Sequence, residues 1–434
     1  EFPLISYTAS MLYRAFGYHA FWHRFIVFLI LSFGAFLAWL FTGIFIQKLL
    51  WRVVHMLLWS ATPILAFYGV SVMPDAAALG FTLMAWYFFM EYYYKTNRNA
   101  QLLTSMVMFA GAGLLKPTFL LGIAVIWGLI ILQKIRSKDF QISALKVFLY
   151  TLIPLSLSVA WILYSRHLTV LTYNTHFLQR IILPSSMEEF VANTKHGFVV
   201  WSESFYGVRG TAFILLGLLI PLAKKGPEQF EILRFISIFY ACACLFNLVV
   251  FNVQYKYHDY YFIQYIPYVF FASAYLIASQ IQQRRGLFVG LIASALPIVL
   301  IVFALRSFGD TRTLMERRLT PKDYYYQDVH VGIDLLSDMS SDIQAIIPED
   351  ASVIIAWDPS PNTMLFLIKR YGERWPGWET EMDKKRMAAT ANNPKYNYIL
   401  VNDIKQFDTI ARPLIKRTLN LNYQKGIWYL FRLD

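Results

Sequence analysis

About ten apolar runs succeed one another between residues 24 and 306. They lie near 24–46, 50–70, 75–94, 102–116, 117–134, 144–165, 210–223, 231–252, 257–280 and 287–306. A helix that crosses a bilayer needs about 20 apolar residues, and most of these runs approach that length. The runs at 102–116 and 210–223 are short, so the sequence predicts that they are broken or borrow residues from their flanks. Composition agrees with this reading: of 434 residues, 57% are hydrophobic and only 15% charged, with a mean hydropathy of +0.45. A soluble domain lacks the polar surface to carry such a make-up. The expected fold is an α-helical polytopic membrane protein.

The cations between the runs alternate in position. Lys48 and Arg52 lie in the first turnaround, Lys95 and Arg98 in the third, and Lys134, Arg136, Lys138 and Lys146 in the fifth. Lys224, Lys225 and Arg234 follow in the seventh, and Arg284 and Arg285 in the ninth. The positive-inside rule puts all of them on the cytoplasmic face. The net charge of +12 then reflects basic inner loops and attraction to anionic lipid. No nucleic-acid module is present, and none is expected as a partner.

The outer face receives residues 1–23, the turn at 71–75, Lys116, a long loop at 166–209, the turn near 253–258, and everything after Arg306. Residues 1–23 are amphipathic and aromatic, which suits a juxtamembrane helix lying in the interface. With Glu1 on the outer side, the topology predicts a further span before it. After Arg306 the composition turns charged and mixed. Residues 331–347 read as a helix, 352–357 as a buried strand, and 361–371 as a helix stopped by Gly372. Residues 396–401 and 426–433 read as further strands. Alternating strands and helices predict a small extracytoplasmic α/β domain over 310–434 with some parallel pairing, beyond a transmembrane domain at 24–306.

Several chemistries are absent from the pattern. Cys242 and Cys244 are two apart in an apolar run, so they do not face each other on a helix and cannot form a zinc site alone. There is no phosphate-binding glycine loop and no hydrolase triad.

The candidate residues lie on the outer face. Asp75 follows Pro74 at a helix start. It is either an acid favoured by the helix dipole or one that faces a water-filled cavity to bind a cation, orient a hydroxyl or act as a base. Lys116 closes GAGLLKPTFL, and reads as a snorkelling lysine or as a point charge for a phosphate, with Gly111 and Gly113 permitting close approach. QYKYHDYYFIQYIPY, residues 254–268, is an aromatic belt or a site. Its His258 and Asp259 at a helix start exceed what a belt requires. Glu203 and Arg209 in the long loop, and Arg24 at the mouth of the first run, are weaker candidates. Acids such as Asp75 could hold a divalent cation, but no ligand set is spaced to demand one.

The order of these pieces resembles the C-type glycosyltransferase (GT-C) superfamily, in its bacterial branch similar to protein O-mannosyltransferases and lipid A aminoarabinose transferases. The segment EFPLISYTASMLYRAFGYHAFWHRF resembles that branch's juxtamembrane stretch and following span. Pro74 and Asp75 are similar to its second acidic position. GLLKPTFL looks like its Gly-Leu-x-x-x-Lys junction, with Lys116 as the lysine, and HDYY from His258 to Tyr261 resembles its His-x-Tyr-Tyr stretch. A GT-C-like helical membrane domain with a small outer α/β domain is the fold this implies.

The resemblance implies an inner-membrane glycosyltransferase of the bacterial cell envelope, multi-pass, with its C-terminal domain outside the cytoplasm. It would move a sugar from a polyprenyl-phosphate donor to an acceptor, whether protein, lipid A or glycan. Lys116, His258, Tyr260, Tyr261 and Arg209 would bind the donor phosphate, with Asp259, Glu203 and Arg24 as further possibilities. Asp75 would be a secondary acid. The superfamily's principal acid lies in the first outer loop, upstream of Glu1, so residues 1–434 alone are expected to be inactive. No cofactor is implied beyond a possible divalent metal. Two other readings stay open: a transporter of lipid-linked sugar, and a non-catalytic scaffold that presents the C-terminal domain.

Overall fold

A computed structural model describes residues 3–17, 19–96, 98–136, 142–172, 183–201, 204–207, 211, 230–255, 258–282, 302, 305–306, 309–313, 316, 333–356, 364–365, 368–375 and 381–434. Two compact units result, residues 1–162 with 180–315, and residues 163–179 with 316–434.

The first unit is helical. In α1 (Leu4–Phe16), Ile5 and Ala9 are buried while Tyr7, Met11 and Phe16 are exposed. Both faces of the helix therefore carry apolar side chains. The helix ends at Gly17, whose φ of 85° suits glycine, rather than running on to residue 23. Helix α2 (Ala20–Phe45) follows, with Phe28, Leu29, Phe33 and Phe36 exposed.

The apolar run at 50–70 is not one helix. It breaks into α3 (Leu49–Ser60) and α4 (Pro63–Tyr68). Thr62 precedes Pro63 and is extended (φ −86°, ψ 139°), because the proline ring disfavours the helical region for the residue before it. Helix α5 (Asp75–Glu91) starts behind Pro74 and ends in a π-helical turn, Tyr92–Thr96. Helix α6 (Asn99–Leu115) is unbroken and takes its extra length from the N-terminal flank. At Lys116 the backbone is again extended before a proline (φ −150°, ψ 104°). A 3-10 turn, Pro117–Leu120, then leads into α7 (Leu121–Arg136).

Helix α8 (Ala144–Thr172) runs beyond the expected end at 165, which places Arg166 and His167 on a helix rather than in an outer loop. A further part of that loop is also helical: α9 (Met187–His196), capped by the Ser186 hydroxyl, continues into a π turn, Gly197–Trp201. The expected run at 210–223, and most of that at 287–306, lie outside the described residues. Helix α10 (Glu231–Val250) is followed by a turn at Asn252–Tyr255, a 3-10 segment at Asp259–Tyr265, and α11 (Ile266–Gln282).

Among the described residues five stretches are long and apolar enough to cross a membrane: Phe21–Phe45, Pro117–Arg136, Ala144–His167, Glu231–Val250 and Asp259–Ser279. The chain is a multi-pass membrane protein. The last stretch is 94% buried and forms the centre of the bundle, whereas Ala144–His167 is only 22% buried and presents most of its surface outward. Polar contacts pin the centre. Trp86 on α5 donates to the Tyr240 hydroxyl on α10 at 2.6 Å, and Tyr240 stacks on Phe271 of α11. His55 of α3 has Nε2 2.9 Å from the Phe270 carbonyl and Nδ1 3.1 Å from the Thr42 hydroxyl. A carbonyl only accepts, so Nε2 carries the proton. Cys242 and Cys244 are free thiols.

The second unit holds a five-stranded mixed sheet in the order β2-β1-β3-β5-β4. Strands β1 (Ser352–Ala356), β2 (Tyr371–Trp375) and β3 (Tyr396–Val401) pair in parallel. Strand β5 (Trp428–Leu433) runs antiparallel to β3 and to β4 (Leu419–Lys425). Alternate residues of β1 fill two cores. Val353 and Ile355 pack with Leu336, Met339 and Ile343 of α12 (Ile333–Ile346). Ile354 and Ala356 pack with Met387 and Ala391 of α13 (Glu381–Ala391) and with Phe407. Two expectations change here: β4 is a further strand, and Gly372 lies inside β2 instead of ending a helix. Glu373 on β2 forms an ion pair with the buried Arg386 and accepts from the Thr390 hydroxyl and Tyr396. Burial, followed by the Glu373 carboxylate, raises the Tyr396 phenol above its ordinary range and keeps it a donor.

Candidate functional site

Asp75 and Lys116 meet inside the first unit although 41 positions separate them. Asp75 is fully buried in the first turn of α5, and Lys116 Nζ lies 3.2 Å from its Oδ1. The contact is an ion pair without a well-directed hydrogen bond, and Asp75 Oδ2 has no hydrogen-bond partner among the described residues. Pro117 explains the position of Lys116. It holds Lys116 extended between α6 and the 3-10 turn, so the side chain leaves the helix axis towards α5.

The HDYY segment covers the lysine. Lys116 Nζ sits 4.7 Å from the Tyr260 ring centre and 5.2 Å from that of Tyr261, both within cation–π range. The His258 ring stacks on Tyr260 at 4.9 Å with 16° between planes, and Tyr260 stacks on Tyr261 at 5.0 Å. A 3-10 segment brings these consecutive residues to one place, because its tighter turn changes the angular spacing of an α-helix. Asp259 has a partner of its own. It is buried, and the Tyr68 hydroxyl at the end of α4 donates to its Oδ1 at 2.6 Å.

Of the residues singled out in the sequence, Asp75, Lys116, His258, Asp259, Tyr260 and Tyr261 therefore come together. Arg24 is exposed on α2, and no described contact joins it to this group. Arg209 and Glu203 lie outside the described residues. Gly111 and Gly113 do not serve an approaching phosphate. A Cβ on Gly113 would meet the Leu120 side chain at 2.4 Å, and one on Gly111 would meet the Phe81 ring at 3.2 Å. Both glycines make room for packing. Tyr68 is the member that sequence reasoning missed, since a tyrosine ending an apolar run has no pattern that sets it apart from a belt residue.

The group offers one cation, an imidazole and two phenol rings in one place. One ammonium, 13% exposed, is held between a buried carboxylate and two aromatic faces, with an imidazole alongside. Among the described residues no three His, Cys, Asp or Glu side chains come close enough to hold a metal ion.

No protein-family model matches the chain, and no curated protein matches it in sequence. Solved structures do. The crystal structure of ArnT from Cupriavidus metallidurans in the apo state matches over 99% of this chain and 87% of its own, with 12% identity and a TM-score of 0.62. The structure of the same protein bound to undecaprenyl phosphate matches over the same shares, with 13% identity and a TM-score of 0.54. The chain has the fold of ArnT, a GT-C-like polytopic membrane fold with a small C-terminal α/β domain.

Proposed function

We propose that the chain is a membrane glycosyltransferase that moves a sugar from a polyprenyl-phosphate donor to an acceptor at the outer face of a bacterial inner membrane. The observation that carries this is Lys116: a partly exposed cation anchored by Asp75 and flanked by Tyr260 and Tyr261. It occurs in a fold shared with a protein crystallised with undecaprenyl phosphate. A lipid phosphate at the membrane surface needs a fixed cation, while its tail remains in hydrocarbon.

In the reaction, the acceptor hydroxyl oxygen forms a bond to the anomeric carbon of the sugar. The bond from that carbon to the phosphate oxygen breaks, and its electron pair leaves with polyprenyl phosphate. The hydroxyl proton passes to a general base. Lys116 stabilises the charge that grows on the leaving phosphate, aided by the imidazole of His258. Asp75 holds the lysine in place, and Asp259, bonded to Tyr68, fixes the aromatic lid. The acceptor is open among protein, lipid A and glycan.

A transfer assay with radiolabelled polyprenyl-phosphate sugar, run on the longest available chain in membranes, tests this. Release of polyprenyl phosphate that depends on Lys116 supports the reading. Movement of the sugar lipid across the bilayer without release would replace it with a transporter.

A further inference from the structure

A second polar feature lies next to this site, inside the bundle. Thr82 of α5, Thr118 of the 3-10 turn, Tyr240 and Asn247 of α10, and Gln264 and Pro267 line one cavity, with room for about one water molecule. Asn247 and Gln264 are 3% and 6% exposed. Asn247 Oδ1, both polar atoms of the Gln264 carboxamide and Thr118 Oγ1 have no hydrogen-bond partner among the described residues. Buried polar atoms are seldom left unpaired in a folded protein. Here the four belong to three residues that line the same small space.

The lining narrows the occupant. Among the described residues no charged side chain borders the cavity, so they compensate neither a phosphate nor a divalent cation there. An isoprenoid segment would leave all four polar atoms unsatisfied. A neutral hydroxyl fits: its O–H donates to a carboxamide oxygen, and its lone pairs accept from Gln264 Nε2 or the Thr118 hydroxyl. We propose that this cavity binds a single neutral hydroxyl group, that of a water molecule or of the sugar carried by the donor. Thr118 is two residues beyond Lys116 on one 3-10 segment, and Gln264 sits on the segment that opens with Asp259. The bound hydroxyl therefore ties together the two segments that present the Lys116 site, which makes Asn247 and Gln264 positioning residues. The sugar arm rests on the glycosyltransferase reading, and the water arm does not.

Density maps of the full chain in nanodiscs provide the test, one with polyprenyl phosphate and one with a polyprenyl-phosphate hexose. A peak within hydrogen-bond reach of Asn247 and Gln264 in both maps identifies water. A peak joined to the sugar in the second map alone identifies a substrate hydroxyl. An empty cavity in both maps, or Asn247 and Gln264 bonded directly to each other, overturns the proposal. Asn247→Leu and Gln264→Leu give an independent readout. Each should lower the melting temperature by a few degrees, and the double variant by less than the sum, because both side chains bind one group. Strict additivity would overturn the shared site. A chain with the water peak but no transferase activity would keep this proposal and remove only the proposed function.

Discussion

At the scale of single residues, Lys116 and Asp75 depend on each other. Lys116 is 13% exposed and Asp75 wholly buried, so the carboxylate has no water to turn to if the lysine is lost. Removing one member of such a pair costs about 3–5 kcal/mol, whereas replacing both with apolar groups is often neutral. We expect Lys116→Met to lower the melting temperature clearly and to abolish polyprenyl phosphate release. Lys116→Met combined with Asp75→Leu should recover the melting temperature and still release nothing. Recovered release would show that the lysine does not act on the donor. The Tyr68–Asp259 bond is a smaller case. Tyr68→Phe removes a donor to a buried carboxylate, a loss of about 1.5–3 kcal/mol by the usual worth of hydrogen bonds to charged groups. Its lid role predicts a raised KM for the donor lipid with kcat less affected, measured in the same transfer assay. The residue types of this site were legible in the sequence, because Pro74–Asp75, Pro117 after Lys116 and the HDYY segment each mark a helix start. Their pairing was not. Only the packing of α5 against α6, and of the Asp259–Tyr265 segment against α4 and α5, decides that Asp75 pairs with Lys116 while Asp259 pairs with Tyr68.

At the scale of elements, glycines set how closely backbones approach. Helices α2 and α5 cross where a Cβ on Gly34 would lie 2.5 Å from the Gly80 carbonyl oxygen, and one on Gly80 would lie 2.6 Å from that of Ile30. Small residues at crossings are how helices gain packing energy in lipid, where no hydrophobic force drives them together. We expect Gly80→Leu to separate the pair and cost about 1–3 kcal/mol as overpacking, read as a lower melting temperature in nanodiscs. Because Asp75 is on the same helix, donor release should fall with it. In the sheet, a Cβ on Gly372 would stand 1.7 Å from the Val353 carbonyl oxygen. Gly372→Ala should break the β1–β2 pairing, seen as faster amide exchange in β2 and unchanged exchange in β3 and β5. Gly372 also shows why part of the fold was hidden. A glycine after a mixed apolar stretch looks like a helix stop, and only the neighbouring strand reveals that it marks a close approach. Strand β4, whose LNLNYQK alternates weakly and stays largely exposed, gave too little pattern to separate from a loop. By contrast, the long apolar helices were plain from length alone.

At the scale of the whole molecule, sidedness follows from which helix ends meet. Helix α6 begins beside Arg98 and α7 ends at Arg136, while the two join at Lys116. Arg136 reaches Glu231 at 3.4 Å, which brings the start of α10 to the end of α7, and Arg234 pairs with the same carboxylate. The far end of α10 leads to the HDYY segment, which lies on Lys116. The basic ends and the Lys116 site are thus at opposite ends of these helices. By the positive-inside rule we propose that the basic end is cytoplasmic and the Lys116 end extracytoplasmic. From the alternation of basic turnarounds in the sequence we propose that the sheet unit is extracytoplasmic. Leu421 on β4 is 53% exposed and offers a place to check this. With Cys242 and Cys244 replaced by serine, Leu421→Cys in spheroplasts should react with a membrane-impermeant maleimide without permeabilisation. Labelling that needs permeabilised membranes would put the sheet in the cytoplasm.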